Sequence, residues 1–115
     1  MSLFQWLKNS GAQPSIAHAS SAPQGPLIRR HCHFSGLVQG VGFRWEAKTL
    51  AARLGLTGWV RNEADGTVTV EVQGGEDSVN EFLRAMRTVP RFDITEIRTV
   101  ELPPREGEAA FGVRY

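Results

Sequence analysis

The sequence predicts an α+β domain in which two helices pack on one face of a mainly antiparallel, five-stranded sheet. Three observations carry that prediction. Apolar residues recur at helical spacing in two stretches, near 43–54 and 76–88. Alternating, β-branched stretches lie before, between and after them, in the order β-α-β-β-α-β-β. Each helix offers one apolar stripe and each strand one apolar side, which two packed layers satisfy. Such an arrangement is a split βαβ, or ferredoxin-like, sandwich. It hosts many unrelated functions and decides none of them alone.

Taken in order, residues 1–27 read as a flexible tail and 28–115 as the domain. The tail is rich in Ser and Ala, carries Pro14, Pro23 and Pro26, and has no apolar period with which to offset its ordering entropy. The first strand begins at Ile28, with Ile28, Cys32 and Phe34 directed inward. After a glycine-rich loop, Phe43, Ala47, Leu50, Ala51 and Leu54 mark the first helix, and Gly55 suits a left-handed C-terminal cap. LTGWVRN is the second strand, and Asp65-Gly66 turns the chain into the third. There Val68, Val70 and Val72 face one way and Thr67, Thr69, Glu71 and Gln73 the other, until Gly74-Gly75 break the strand. The second helix runs from Glu76 to Thr88 on an apolar face of Val79, Phe82, Leu83 and Met86, and Pro90 prevents its continuation. Alternation in the fourth strand slips between Ile94 and Ile97, the mark of a bulge. A short fifth strand, FGVRY, ends the chain.

Composition narrows the function classes. At 115 residues there is room for one domain. Thirteen basic against twelve acidic residues give a formal charge of +1, so no broad basic face for nucleic acid is expected, although Arg29 and Arg30 offer local basicity to a small anion. One cysteine, Cys32, excludes an internal disulfide and a thiol-rich metal site, and fits a reducing cytoplasm. No run of about 18 apolar residues occurs, so no membrane span is expected. Lys8 and Asn9 cut the N-terminal apolar run too short for a secretory segment.

Two stretches carry chemistry. In SGLVQGVGFR, residues 35–44, the chain passes from strand to helix through Gly36, Gly40 and Gly42. Amides of Gln39, Gly40, Val41 and Gly42 are then free to converge on an anion beside a helix N-terminus. Arg44, in the first helical turn, can hold two phosphate oxygens with its planar fork. The plainer alternative is a tight turn whose glycines relieve strain. In the second stretch Asn62 ends a strand that finishes at the same end of the sheet as the first strand. There its amide can offer an acceptor and a donor to a water, or merely begin the hairpin turn.

Together the two stretches closely resemble the paired signature motifs of acylphosphatases. GLVQGVGFR fits G-x-V-Q-G-V-x-F-R, and GWVRNEADGTVTVEVQG fits G-aromatic-V-basic-N-x-x-x-G-x-V-x-x-x-x-x-G. The resemblance extends over about 28–115. It favours a small free-standing enzyme over the acylphosphatase-like domains that open larger hydrogenase-maturation proteins. It implies hydrolysis of the carboxyl–phosphate anhydride of a small acyl phosphate, with neither metal nor other cofactor. Arg44 would bind the phosphoryl group with the amides of Gln39, Gly40, Val41 and Gly42, and Asn62 would orient the attacking water. A cytoplasmic monomer that engages neither membrane nor nucleic acid is the expectation. RNA-recognition domains share the strand–helix order but need exposed aromatic pairs on their central strands, where this chain has Thr67, Thr69, Glu71 and Gln73. A catalytically silent anion-binding or interaction module of the same fold is the alternative. His31 and His33 form an H-x-H without an evident third ligand, so an exposed sheet face is expected there. Trp59 and Phe43 are expected to pack, and Tyr115 to help close the sheet.

Overall fold

A computed structural model describes residues 25–115, so most of the segment read as a tail lies outside the described residues. Seven elements follow in the expected order: β1 (Leu27–Leu37), α1 (Phe43–Arg53), β2 (Thr57–Asn62), β3 (Val68–Gly75), α2 (Glu76–Arg87), β4 (Asp93–Leu102) and β5 (Phe111–Arg114). The sheet order is β4-β1-β3-β2-β5. Every pairing is antiparallel except that of β2 with β5.

Both helices lie on the valine side of β3. Val68, Val70 and Val72 are fully buried against Val79, Phe82 and Met86 of α2 and Phe43, Ala47 and Ala51 of α1, with Cys32 and Phe34 beneath. Helix α1 ends as expected of Gly55, whose φ is 68°. The Gly55 amide donates to Ala52 O and the Leu56 amide to Ala51 O, a paired closure that caps the last carbonyls. The irregularity of β4 is a bulge. Ser35 pairs with Glu96 and Gly36 with Ile94, which leaves Thr95 as the extra residue.

Four expectations are corrected. β3 does not break at Gly74 but continues through Gly75, because both glycines pair with β1, at Ile28 and Leu27; glycine at 74 leaves room for Leu56, whose Cδ2 would lie 2.3 Å from a Cβ there. The second face of the sheet is not solvated: Thr69, Glu71 and Gln73 are all buried. The connection between β4 and β5 lies over it, with Glu108 bonded to Arg29 and the Arg105 amide donating to Gln73 Oε1. Arg29 is therefore no anion guide. It is 1% exposed and donates to Glu71, Gln73 and Glu108 at 2.9, 3.1 and 2.8 Å. Its neighbour Arg30 donates to Asn80 of α2. His31, expected on an open face, is only partly exposed and sits with Nδ1 2.8 Å from Glu71 Oε2.

Candidate active site

The register places the end of β1 beside the end of β2. Phe34 of β1 and Asn62 of β2 both lie opposite Val68 of β3, so the two strands run parallel to one another and finish together. Val60 is buried in the core below the helices, and strand alternation puts Asn62, two residues on, on that same helix-bearing face. From β1 the chain continues through Val38, which is fully buried and anchors the loop, into residues 39–42. The amides of Gln39, Gly40, Val41 and Gly42 donate to no other group among the described residues.

Glycine at 40 and 42 has a torsional cause. Their φ angles are 75° and 80°, in the left-handed region that disfavours side chains. The protein does not crowd Gly40, where an added Cβ would meet nothing within 4 Å. At Gly42, the N-cap of α1, it would approach Arg91 Nη2 at 3.3 Å. The turn out of Gly42 is closed by the Glu46 amide donating to Gly42 O.

Gln39 does more than contribute an amide. Its side-chain Nε2 donates to Glu63 O at 2.7 Å and Thr67 O at 2.9 Å, the two carbonyls at the base of the β2–β3 hairpin. The loop 39–42 is thereby tied to the residue that follows Asn62. The hairpin is itself held by Asp65, whose Oδ1 accepts from the Thr67 amide and hydroxyl. Glu63 accepts from Thr69 Oγ1 at 2.6 Å and from Arg61 at 3.1 Å, and these bonds hold its carboxyl below the usual carboxylate range.

Asn62 Oδ1 is buried and accepts no hydrogen bond among the described residues. Buried polar atoms are rarely left so. Like Arg30, Arg53, Arg87 and Arg114, Arg44 forms no salt bridge among the described residues. Its guanidinium lies 5.4 Å from the centroid of the exposed Tyr115 ring, just beyond β5. The site thus combines a free guanidinium, four free amides and an unpartnered carbonyl at one end of the sheet. It offers hydrogen-bond donors and a positive charge to an anion, while the nearby carboxylates are engaged, Glu63 by Thr69 and Arg61 and Glu46 by Arg91.

Other candidates are placed elsewhere. Cys32 is buried in the core, where burial pushes its thiol up to about 12, far from a reactive thiolate. Phe43 packs against Phe34 and Phe92, each at 4.9 Å between ring centroids. Trp59 is buried on the second face between the guanidinium groups of Arg61 and Arg114. Among the described residues no group of three or more His, Cys, Asp or Glu side chains is placed to hold a metal ion, and no helix is long and apolar enough to cross a membrane. Two surface clefts, one beside Phe92 and Ile94 and one beside Leu56 and Phe111, lie away from the loop. The sequence reasoning missed Arg91, which donates to the loop carbonyl of Val41. No local pattern around Pro90-Arg91-Phe92 announces that contact.

Comparison with known proteins bears on this arrangement. The acylphosphatase family model matches residues 30–113. The acylphosphatase of Bifidobacterium longum is 43% identical over 90 residues, covering 76% of this chain and 93% of that protein. That of Acidiphilium cryptum is 50% identical over 82 residues, covering 70% and 90% respectively. Among solved structures, the acylphosphatase from Bacillus subtilis superposes with a TM-score of 0.73 at 32% identity, covering 76% of this chain and 99% of that one. Full-length HypF, in a phosphate- and nucleotide-bound form, aligns with a TM-score of 0.73 at 28% identity, covering 82% of this chain but 12% of HypF.

Proposed function

The chain belongs to the acylphosphatase family and carries its hydrolase activity, and we propose that Arg44, Asn62 and the loop 39–42 perform it without a metal ion. The observation that carries this reading is the set of amides from Gln39 to Gly42, unpaired among the described residues, leading into the first turn of α1, where Arg44 has no acidic partner among those residues. In the proposed reaction, Arg44 and the amides of Gln39, Gly40, Val41 and Gly42 hold the phosphoryl oxygens. Asn62 Oδ1 accepts a hydrogen bond from the attacking water. The water oxygen bonds to phosphorus as the bond to the acyl oxygen breaks. The carboxylate leaves unprotonated, and a phosphoryl oxygen takes the water's proton, so no side-chain base is needed. Positioning and electrostatic stabilisation of the equatorial oxygens supply the catalysis.

The same reading assigns the activity to residues 28–115, acting as a monomer in the cytoplasm. The reading includes no nucleic-acid partner, and it is supported by β3, whose Thr69, Glu71 and Gln73 are buried on the second face where a base-stacking module needs open aromatics.

The test is hydrolysis of benzoyl phosphate by the full chain, with inorganic phosphate as a competitive inhibitor. Turnover is expected to survive dialysis against a chelator. Arg44→Ala is expected to weaken phosphate inhibition and turnover together. Phosphate binding without hydrolysis would instead identify a silent anion module.

A further inference from the structure

Arg91 stands in the connection between α2 and β4, 50 residues from the loop it touches. Its Nε donates to Val41 O at 2.7 Å and its Nη2 to Glu46 Oε1 at 2.7 Å, while its guanidinium lies over the Phe92 ring at 5.4 Å. Glu46 is two residues beyond Arg44, about 200° around the helix axis. Arg91 and Arg44 therefore flank the N-terminus of α1 from opposite sides.

A peptide group is planar and trans, so its carbonyl and its N–H point in opposite directions. With Val41 O turned toward Arg91, the Gly42 N–H of the same peptide turns to the Arg44 side. Among the described residues nothing accepts a bond from that N–H. Glycine at 42 makes the arrangement possible twice over. It accepts φ 80°, and it leaves clear the space 3.3 Å from Arg91 Nη2 that a Cβ would enter. As a surface ion pair the Arg91–Glu46 contact adds little stability, since Arg91 is 49% exposed. Its effect is orientation.

We propose that Arg91 is a positioning residue for the anion loop: held by Glu46, it pins the Val41 carbonyl outward and aims the Gly42 N–H at the phosphoryl oxygens bound by Arg44. This rests on the reading of loop 39–42 as the phosphate site. The experiment is a titration of the 15N-labelled full chain with inorganic phosphate, followed at the Gly40 and Gly42 amides, for wild type, Arg91→Ala, Arg91→Lys and Glu46→Ala. Both amides are expected to shift in wild type. In Arg91→Ala the Gly42 response is expected to fall by more than about half while Gly40 still moves, and phosphate affinity to weaken about tenfold, the loss of one charge-assisted contact. Lysine, able to reach one acceptor, recovers part of both effects, and Glu46→Ala falls between wild type and Arg91→Ala. With benzoyl phosphate, KM is expected to rise as phosphate affinity weakens, and kcat to fall as well, because the Gly42 N–H also stabilises the equatorial oxygens in the transition state. A folded Arg91→Ala or Arg91→Lys protein with an unchanged Gly42 response and unchanged phosphate affinity overturns the proposal, whatever its melting temperature. Silence of both amides in wild type overturns the phosphate-site reading itself, and the proposal with it.

Discussion

Arg44 and Asn62 divide the proposed chemistry, and single substitutions separate their roles. Arg44→Lys keeps the charge but loses the bidentate fork, so the phosphoryl group is no longer held in one orientation. Turnover of benzoyl phosphate is expected to fall by at least about a hundredfold, the scale of losing a positioned stabilising group. Near-normal turnover would remove Arg44 from the centre of the site. Asn62→Ala should act on rate alone. Removing the amide that orients water is expected to lower kcat by about 10²–10³ while phosphate affinity holds. A melt of the variant guards against misreading a folding defect, because Asn62 precedes the hairpin turn. Retained kcat in a normally folded variant would end the water-orienting role. Both residues stood out as candidates in the paired motifs, whose resemblance to the family suggested their proposed roles. Arg91 was not, since its contact to Val41 depends on how the α2–β4 connection is placed over α1.

At the scale of elements, the β4 bulge sets how β1 delivers the chain to the loop. Gly36 sits at the register shift with φ 116°, and a Cβ there would lie 2.0 Å from Asp93 O and 2.9 Å from Thr95 N. Gly36→Ala therefore cannot keep both the bulge and its own torsion. A loss of roughly 2 kcal/mol or more in unfolding free energy is expected from strain of this kind, measured by denaturant titration. A loss below about 0.5 kcal/mol, the ordinary range for a surface change, would show that the bulge relaxes freely. The slip in alternation between Ile94 and Ile97 was visible in the sequence, but the role of Gly36 was not. That glycine read as part of the loop, whereas its need arises from the backbone of a strand some 60 residues away.

For the whole molecule, the second face of the sheet is the least expected feature. Arg29 joins β1, β3 and the β4–β5 connection through Glu71, Gln73 and Glu108. Burial alone would raise the Glu71 carboxyl, but bonds from His31 and Arg29 outweigh it and hold it below the usual range. Burial likewise opposes ionisation of Glu108, but the bonds from Arg29 and Thr57 and the nearby guanidinium charges together outweigh it and hold its carboxyl below the usual range. Both carboxyls then bind protons less readily folded than unfolded. Their contribution is complete above the ordinary carboxylate value of about 4.3 and is lost as pH falls through the lower folded-state values. Melting temperature should accordingly hold from pH 7 to about pH 5 and fall in more acid solution. Arg29→Met leaves Glu71 buried without its guanidinium. It is expected to cost about 3–5 kcal/mol near neutral pH and to flatten part of the acid limb. An unchanged acid limb would assign that limb to other carboxylates.

By itself, the sequence determined the order of the seven elements, the apolar faces of both helices and the valine face of β3. All of these follow from local periodicity, and periodicity survives in a one-dimensional pattern. It also marked Arg44, Asn62 and the glycine loop as candidates, because motif spacing preserves residues whose geometry is set by short stretches of chain. Only the tertiary structure decided that β3 continues through Gly74 and that Arg29 is buried. It alone joined Gln39 to the hairpin and placed Arg91 behind the loop. Each of these is a contact between residues more than twenty positions apart or a space one segment leaves for another. Such contacts depend on how twisted layers meet in three dimensions, and no spacing along the chain encodes that.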